Sequence, residues 1–161
     1  MGAQQAWKLR ISMADIAADG PFSAFPGVER WFAVVIGNGV VLGLDGAERK
    51  VLPGDAPVRF DGAAAPGCRL IDGPTTDLNL MFRGGRGEMR ASEPEVPWNE
   101  GFRVRALFTA VPGRWWDGDT HHDLAQHSLL WDDSAAGVAW QFRPASEGEQ
   151  GCTGWWLGYT P

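Results

Sequence analysis

Turn signals recur roughly every eight to twelve residues along this chain, and that spacing limits its possible folds more than anything else in it. Asp19-Gly20-Pro21, Gly37-Asn38-Gly39, Asp45-Gly46, Pro53-Gly54-Asp55 and Asp72-Gly73-Pro74 each interrupt a short apolar or alternating run. Glycine tolerates dihedrals that other residues avoid and proline presets φ, so these clusters turn the chain and leave no room for a long helix. The 22 glycines and 11 prolines among 161 residues point the same way. Between the turns, residues 9–13 alternate as a first strand, 31–36 read as a buried strand, and 40–44 and 48–52 form a hairpin about Asp45-Gly46. Residues 58–60 and 68–71 add strands, and a single helical turn is expected only at 14–18. A surface connection rich in Gly, Glu and Pro covers 84–101, with one short strand at 88–91. A second block of strands follows at 104–111, 128–132, 138–142 and 155–159. The expected fold is all-β, a jelly-roll sandwich or barrel in one domain over residues 1–161. Its two blocks, about 1–83 and 102–161, could each be a small sheet set packed on the other. No internal sequence repeat is visible.

Two polar-studded segments carry the chemistry. Residues 19–30 read DGPFSAFPGVER and residues 72–83 read DGPTTDLNLMFR. Each opens with an Asp-Gly-Pro turn and delivers an arginine to a strand-like run. In the second, alternation puts Asp77, Asn79, Met81 and Arg83 on one face and Leu78, Leu80 and Phe82 on the other. The first row suits the wall of a polar pocket; an ordinary solvated strand face is the competing interpretation. The candidate binding residues are Phe22, Ser23, Arg30, Asp77, Asn79, Met81 and Arg83, with Phe25 and some of the nine tryptophans as apolar walls. Guanidinium groups pair with carboxylates, Asn offers a donor and an acceptor, and Asp can orient an arginine or accept an N–H. This set suits a small anionic metabolite with an amide-like group. A structural alternative for Arg30 is an ion pair with Glu29, Asp19 or Asp77 that locks turn to strand.

Several function classes are disfavoured. The net charge of −6, with lysine only at positions 8 and 50, leaves no basic stripe for nucleic acid. Histidine occurs only at 121, 122 and 127, so no metal or other cofactor is expected; adjacent His121 and His122 would face opposite ways in a strand, and the sequence around 118–123 reads as a surface loop. Ser23 lies in no nucleophile elbow, and Gly84-Gly85-Arg86-Gly87 opens no helix that would cradle a phosphate. Cys68 and Cys152 fit neither a zinc motif nor a redox pair and read as reduced, half-buried thiols, with a disulfide as the alternative. Residues 1–6 lack a signal-peptide pattern, and Ala6 stands where a myristoylation signal needs Ser or Thr. No apolar run reaches membrane-spanning length. A soluble, cytoplasmic protein without nucleic-acid or membrane partners is expected, its oligomeric state open and a homodimer among the options. The tryptophans are expected to fill the core with their indole N–H groups bonded to carbonyls.

The order DGPFS-x-FPG-x-x-R, a hairpin, then L-x-x-GP-x-x-DLN-x-M-x-R resembles the HutD/Ves family of cupin-related proteins over about the first half of the chain. The second half matches only in general character. Gly84-Gly85 follows Arg83 where the family motif often continues with a second basic residue. The resemblance implies a cupin-like jelly roll and a metal-independent accessory or regulatory protein of histidine utilisation. Its ligand would be a small carboxylate of the N-formylglutamate or urocanate type. A metal-independent cupin-fold enzyme with Asp77 as general base is the alternative, although arginine neighbours would be expected to hold that carboxyl's pKa down. An interaction protein with a Trp-rich surface is a third.

Overall fold

Alternating short runs and tight turns give a nearly all-β chain in the computed structural model, which describes residues 7–134, 137–149 and 151–161. The N-terminal residues read above for signals, 1–6, lie outside these. The first half contributes β1 (Leu9–Ile16), β2 (Gly20–Pro21), β3 (Glu29–Ile36), β4 (Val40–Leu44), β5 (Ala47–Val51), β6 (Val58–Asp61), β7 (Gly67–Leu70) and β8 (Thr75–Phe82). The second contributes β9 (Arg86–Ala91), β10 (Val104–Thr109), β11 (Gly113–Asp117), β12 (Thr120–Leu124), β13 (Leu129–Asp132), β14 (Trp140–Pro144) and β15 (Gly154–Thr160). One 3-10 turn at Gly62–Ala64 is the only helical element among the described residues.

The strands form four sheets, ordered β2-β7-β4-β5, β1-β8-β3-β6, β13-β10-β15-β9 and β12-β11-β14. Three apolar clusters show how they stack. Phe32, Val34, Leu42, Val58 and Cys68 join the first sheet to the second. Leu78, Leu80, Phe82, Met89, Phe108, Trp155 and Leu157 join the second to the third. Trp98, Leu107, Trp115, Trp140, Phe142 and Trp156 join the third to the fourth. Strand β8 therefore has covered neighbours on both sides: Leu78, Leu80 and Phe82 face the second half, while Asp77, Asn79 and Met81 face the first-half interior.

The two halves repeat one wiring. Along the inner sheets the order β1-β8-β3-β6 matches β9-β15-β10-β13. Along the outer ones β2-β7-β4-β5 matches a bridge at Trp98, then β14-β11-β12. The match reaches single hydrogen bonds: Phe22 donates its N–H to Pro66 O at 3.0 Å, as Trp98 does to Trp140 O at 2.7 Å. Arg30, opposite Met81, corresponds to Arg105, opposite Gly158. Asn79, opposite Phe32, corresponds to Trp156, opposite Leu107, and Asp77 to Gly154. A repeat whose equivalent positions share so little chemistry leaves no trace in the sequence.

Several local expectations change. Residues 14–16 continue β1, in register with Asp77 to Thr75, and no helical turn forms there. Gly20-Pro21 is a short edge strand on β7 rather than a turn; the carboxylate of Asp19, just before it, accepts the Leu70 N–H at 2.8 Å. The Asp45-Gly46 hairpin forms with φ of 51° and 77°, the positive pair that its type I′ turn requires. The loop expected at 118–123 is the β11–β12 hairpin, which escaped detection because β12 is polar and exposed, with no apolar alternation. The indoles of Trp31, Trp98, Trp115 and Trp155 are buried without a hydrogen-bond partner, contrary to expectation. Ring packing holds two of them: Trp98 stacks on Trp156 at 5.2 Å, and Trp115 meets Trp140 edge-on at 5.2 Å.

Candidate functional site

A cavity of about 290 Å³ opens between the polar face of the β1-β8-β3 sheet and the loop after β2. Strand β1 supplies Arg10, Ser12, Ala14 and Ile16; β2 supplies Pro21 and the loop after it Phe22, Ser23 and Phe25; β3 supplies Arg30; β8 supplies Asp77, Asn79 and Met81. Six of the seven residues singled out in the sequence meet here. Arg10 and Ser12 were not singled out, yet the signal was present: they alternate with Leu9, Ile11 and Met13, and their partners Met81 and Asn79 lie on the polar face of β8.

Arg83 is the residue that does not join them. Strand β8 ends at Phe82, and past that point the Arg83 side chain turns outward. Its Nη1 donates to Pro26 O at 2.8 Å, and its guanidinium lies 5.2 Å from the Trp7 ring centroid. Alternation carries a side chain to one face only while the strand lasts. Arg83 thus ties down the loop that walls the cavity and lines no part of it.

Inside, three buried side chains form a relay. Arg30 donates from Nε to Asn79 Oδ1 at 2.9 Å, and Asn79 donates from Nδ2 to Asp77 Oδ2 at 2.6 Å. The guanidinium also lies 4.4 Å from the Phe22 ring centroid and 5.5 Å from that of Phe60. The ion pairs proposed for Arg30 do not form; Glu29 pairs with Arg59 instead. Arg30 has only its Nε in a hydrogen bond among the described residues, so its terminal nitrogens are open to a ligand. Arg105, its counterpart in the second half, has both terminal nitrogens on backbone carbonyls, Val138 at 2.6 Å and Trp98 at 2.9 Å, beneath the Trp98 and Trp140 rings. There Trp156 occupies the Asn79 position and packs on Trp98.

Asp77 is 1 % exposed, and its Oδ1 is buried without a partner. Burial pushes its carboxyl up to about 6, against the lowering effects of the Asn79 bond and the Arg30 charge. The sequence expectation that arginine would hold it low is reversed, because desolvation outweighs a cation held one side chain away. Burial lowers the pKa of Arg30, Asp77 raises it, and Arg10 lowers it. The Cys68 thiol, in the adjoining core, is pushed up to about 11, chiefly by burial and then by Asp77 and Asp19. Neither cysteine is paired.

Other places offer less. A cleft of about 490 Å³ lies along Gly27, Glu29, Arg59 and Gly85, and one of about 470 Å³ along Glu95, Arg143 and Glu147. Both are larger, but the arginine of each, Arg59 or Arg143, is already in an ion pair, with Glu29 or Glu95. His121 and His122 take opposite faces of β12, against Trp116 and Trp115, and His127 stacks on Phe108. Among the described residues no three His, Cys, Asp or Glu side chains converge as metal ligands. No helix among them is long and apolar enough to cross a membrane.

The HutD family profile matches residues 1–149. This chain belongs to the HutD family. An uncharacterised 21.2 kDa protein in the hutC 3′ region of Pseudomonas putida is 40 % identical over 74 residues, 45 % of this chain and 38 % of that protein. Protein Ves of Citrobacter koseri is 33 % identical over 112 residues, 68 % of this chain and 58 % of that relative. The chain thus spans less than two thirds of the length of either relative. The structure of HutD from Pseudomonas fluorescens SBW25, in a formate condition, superposes with a TM-score of 0.79 at 26 % identity, covering 95 % of this chain and 79 % of that one. A cupin 2 conserved barrel domain protein from Leptotrichia buccalis shares the fold alone, with a TM-score of 0.50 at 9 % identity over 100 % of this chain and 92 % of that one. The HutD fold is thus cupin-like, with sheets that stack without closing into a barrel.

Proposed function

We propose that this HutD-family chain is a ligand-binding accessory protein of histidine utilisation, holding a small carboxylate of the N-formylglutamate or urocanate type in its first-half cavity. One observation carries the proposal. Arg30 is buried, oriented through Nε by Asn79, and free at its terminal nitrogens on a cavity wall. A guanidinium fork so presented matches a carboxylate, and Arg10 adds a second cation on the same wall. Arg105 supplies an internal comparison: at the same position in the second half, both terminal nitrogens are on carbonyls. The volume of about 290 Å³ lies at the small end of the ~300–1,000 Å³ usual for ligand pockets, which suits a metabolite of a dozen or so heavy atoms. Association with histidine utilisation rests on HutD membership and on the Pseudomonas putida relative of the hutC region.

Calorimetric titration with N-formylglutamate, urocanate and formate tests this. Saturable binding by wild type that weakens in Arg30→Met is the expected result, and no binding of any of the three overturns the proposal. The enzyme alternative, with Asp77 as base, has the raised carboxyl pKa in its favour. Against it, Oδ2 is taken by Asn79 and Oδ1 is sealed, so neither oxygen is presented to a substrate. Turnover of these acids that Asp77→Asn abolishes would restore it.

A further inference from the structure

We propose that the cavity takes up its carboxylate together with one proton, which settles on Asp77. This deepens the function proposed above and rests on it. The reason is the wiring of the site. Arg30 is the one cation coupled to Asp77, and it reaches it only through the Asn79 amide. Asp77 Oδ1 has no hydrogen-bond partner and no access to water. An ionised carboxylate in that position has the Asn79 hydrogen bond and, as its one opposite charge, Arg30. A ligand carboxylate on the free end of Arg30 uses that charge and adds a second negative charge to the same low-dielectric space. Two anions drawing on Arg30 in a buried site cannot both stay ionised at little cost, and a proton on Asp77 is the relief available.

The other groups facing Asp77 do not supply that relief. From β1 come Arg10, which lines the cavity opposite Met81 but is not among the charges that lower the Asp77 pKa, and Asp15, whose charge disfavours ionisation of Asp77. From β7 comes Cys68, whose thiol stays neutral at ordinary pH. Asp19, just before β2, adds a further negative charge near that thiol. The free protein already holds the Asp77 carboxyl at about 6, so a modest further rise on binding moves it through neutrality.

The sign follows from linkage. Above pH 6 free Asp77 is ionised, and the complex binds one more proton than the free protein. Affinity therefore rises as pH falls toward 6, by up to about tenfold per unit, and levels off below it. The N-formylglutamate and formate carboxylates stay ionised over pH 5.5–8, so the probe itself contributes no titration there.

The experiment is calorimetry of N-formylglutamate, with formate as a second probe, at pH 7.5 in HEPES and in Tris, repeated from pH 5.5 to 8. The buffers differ in ionisation enthalpy, so the difference in heat counts protons. Uptake of up to one proton per ligand by wild type, lost in Asp77→Asn with a flat pH profile, is the expected result. Binding with no proton uptake, or uptake that persists in Asp77→Asn, overturns this inference and leaves the binding function standing. Absence of binding at every pH removes both. Carbon-13 NMR titration of the Asp77 carboxyl in the free protein gives a ligand-independent check: a midpoint near 6 is expected, and one near 4 overturns the inference.

Discussion

Replacing Arg30 with methionine keeps much of the side-chain volume and removes the charge and the fork. In the folded protein it leaves Asn79 Oδ1 without its donor and Asp77 without the cation it senses. A lost hydrogen bond to a charged group costs about 1.5–3 kcal/mol, and the partly desolvated stacking on Phe22 adds about 0.5–2 kcal/mol. Part of this returns through better burial of an apolar side chain, so a net destabilisation of about 2–3 kcal/mol is expected. For a chain of this length that corresponds to a fall in Tm of about 4–12 °C. The pH dependence separates an electrostatic cause from a packing one. Without Arg30 the Asp77 pKa rises above 6, so the loss should be larger at pH 8, where Asp77 must ionise, than at pH 5.5, where it is protonated in both proteins. The affinity for N-formylglutamate should fall by about 10- to 150-fold, the equivalent of the same 1.5–3 kcal/mol. Thermal unfolding at the two pH values and calorimetry are the assays. A variant as stable as wild type at pH 8 that still binds with unchanged affinity would refute the reasoning.

Three further outcomes are expected. Asp77→Asn should stabilise the unliganded protein by up to about 3 kcal/mol at pH 7–8, because a folded-state pKa raised from 3.8 to about 6 adds stability at low pH that is lost as pH rises through 6. That advantage should vanish near pH 4, as thermal melts across pH can read. Arg83→Ala should change ligand affinity by less than about threefold and stability by about 1 kcal/mol, since it breaks one exposed bond to Pro26 O; a loss as large as that of Arg30→Met would return Arg83 to the site. Gly158→Ala places a methyl against the Phe102 ring in the second-half core and should cost about 1–3 kcal/mol in a denaturant melt without altering binding.

The strands were legible where local rules suffice. Turn chemistry placed the Asp45-Gly46 hairpin, and period-two alternation separated Asp77, Asn79 and Met81 from Leu78, Leu80 and Phe82 before any partner was known. The same rule placed Arg83 with the first group and failed, because alternation says nothing about where a strand stops. It was silent on β12, whose polar residues carry no periodic apolar signal, and it could not bring Arg10 and Ser12 into the site, because register between β1 and β8 is a contact across more than sixty residues. The repeated wiring of the two halves belongs to tertiary structure alone. Asn79 against Trp156, and Asp77 against Gly154, are equivalent only in the hydrogen-bonded ladder. The chain by itself determined that it would be a stack of short strands carrying one polar row. Packing decided how each arginine is held: long-range pairing set an amide and a carboxylate behind Arg30 in one half and an indole behind Arg105 in the other.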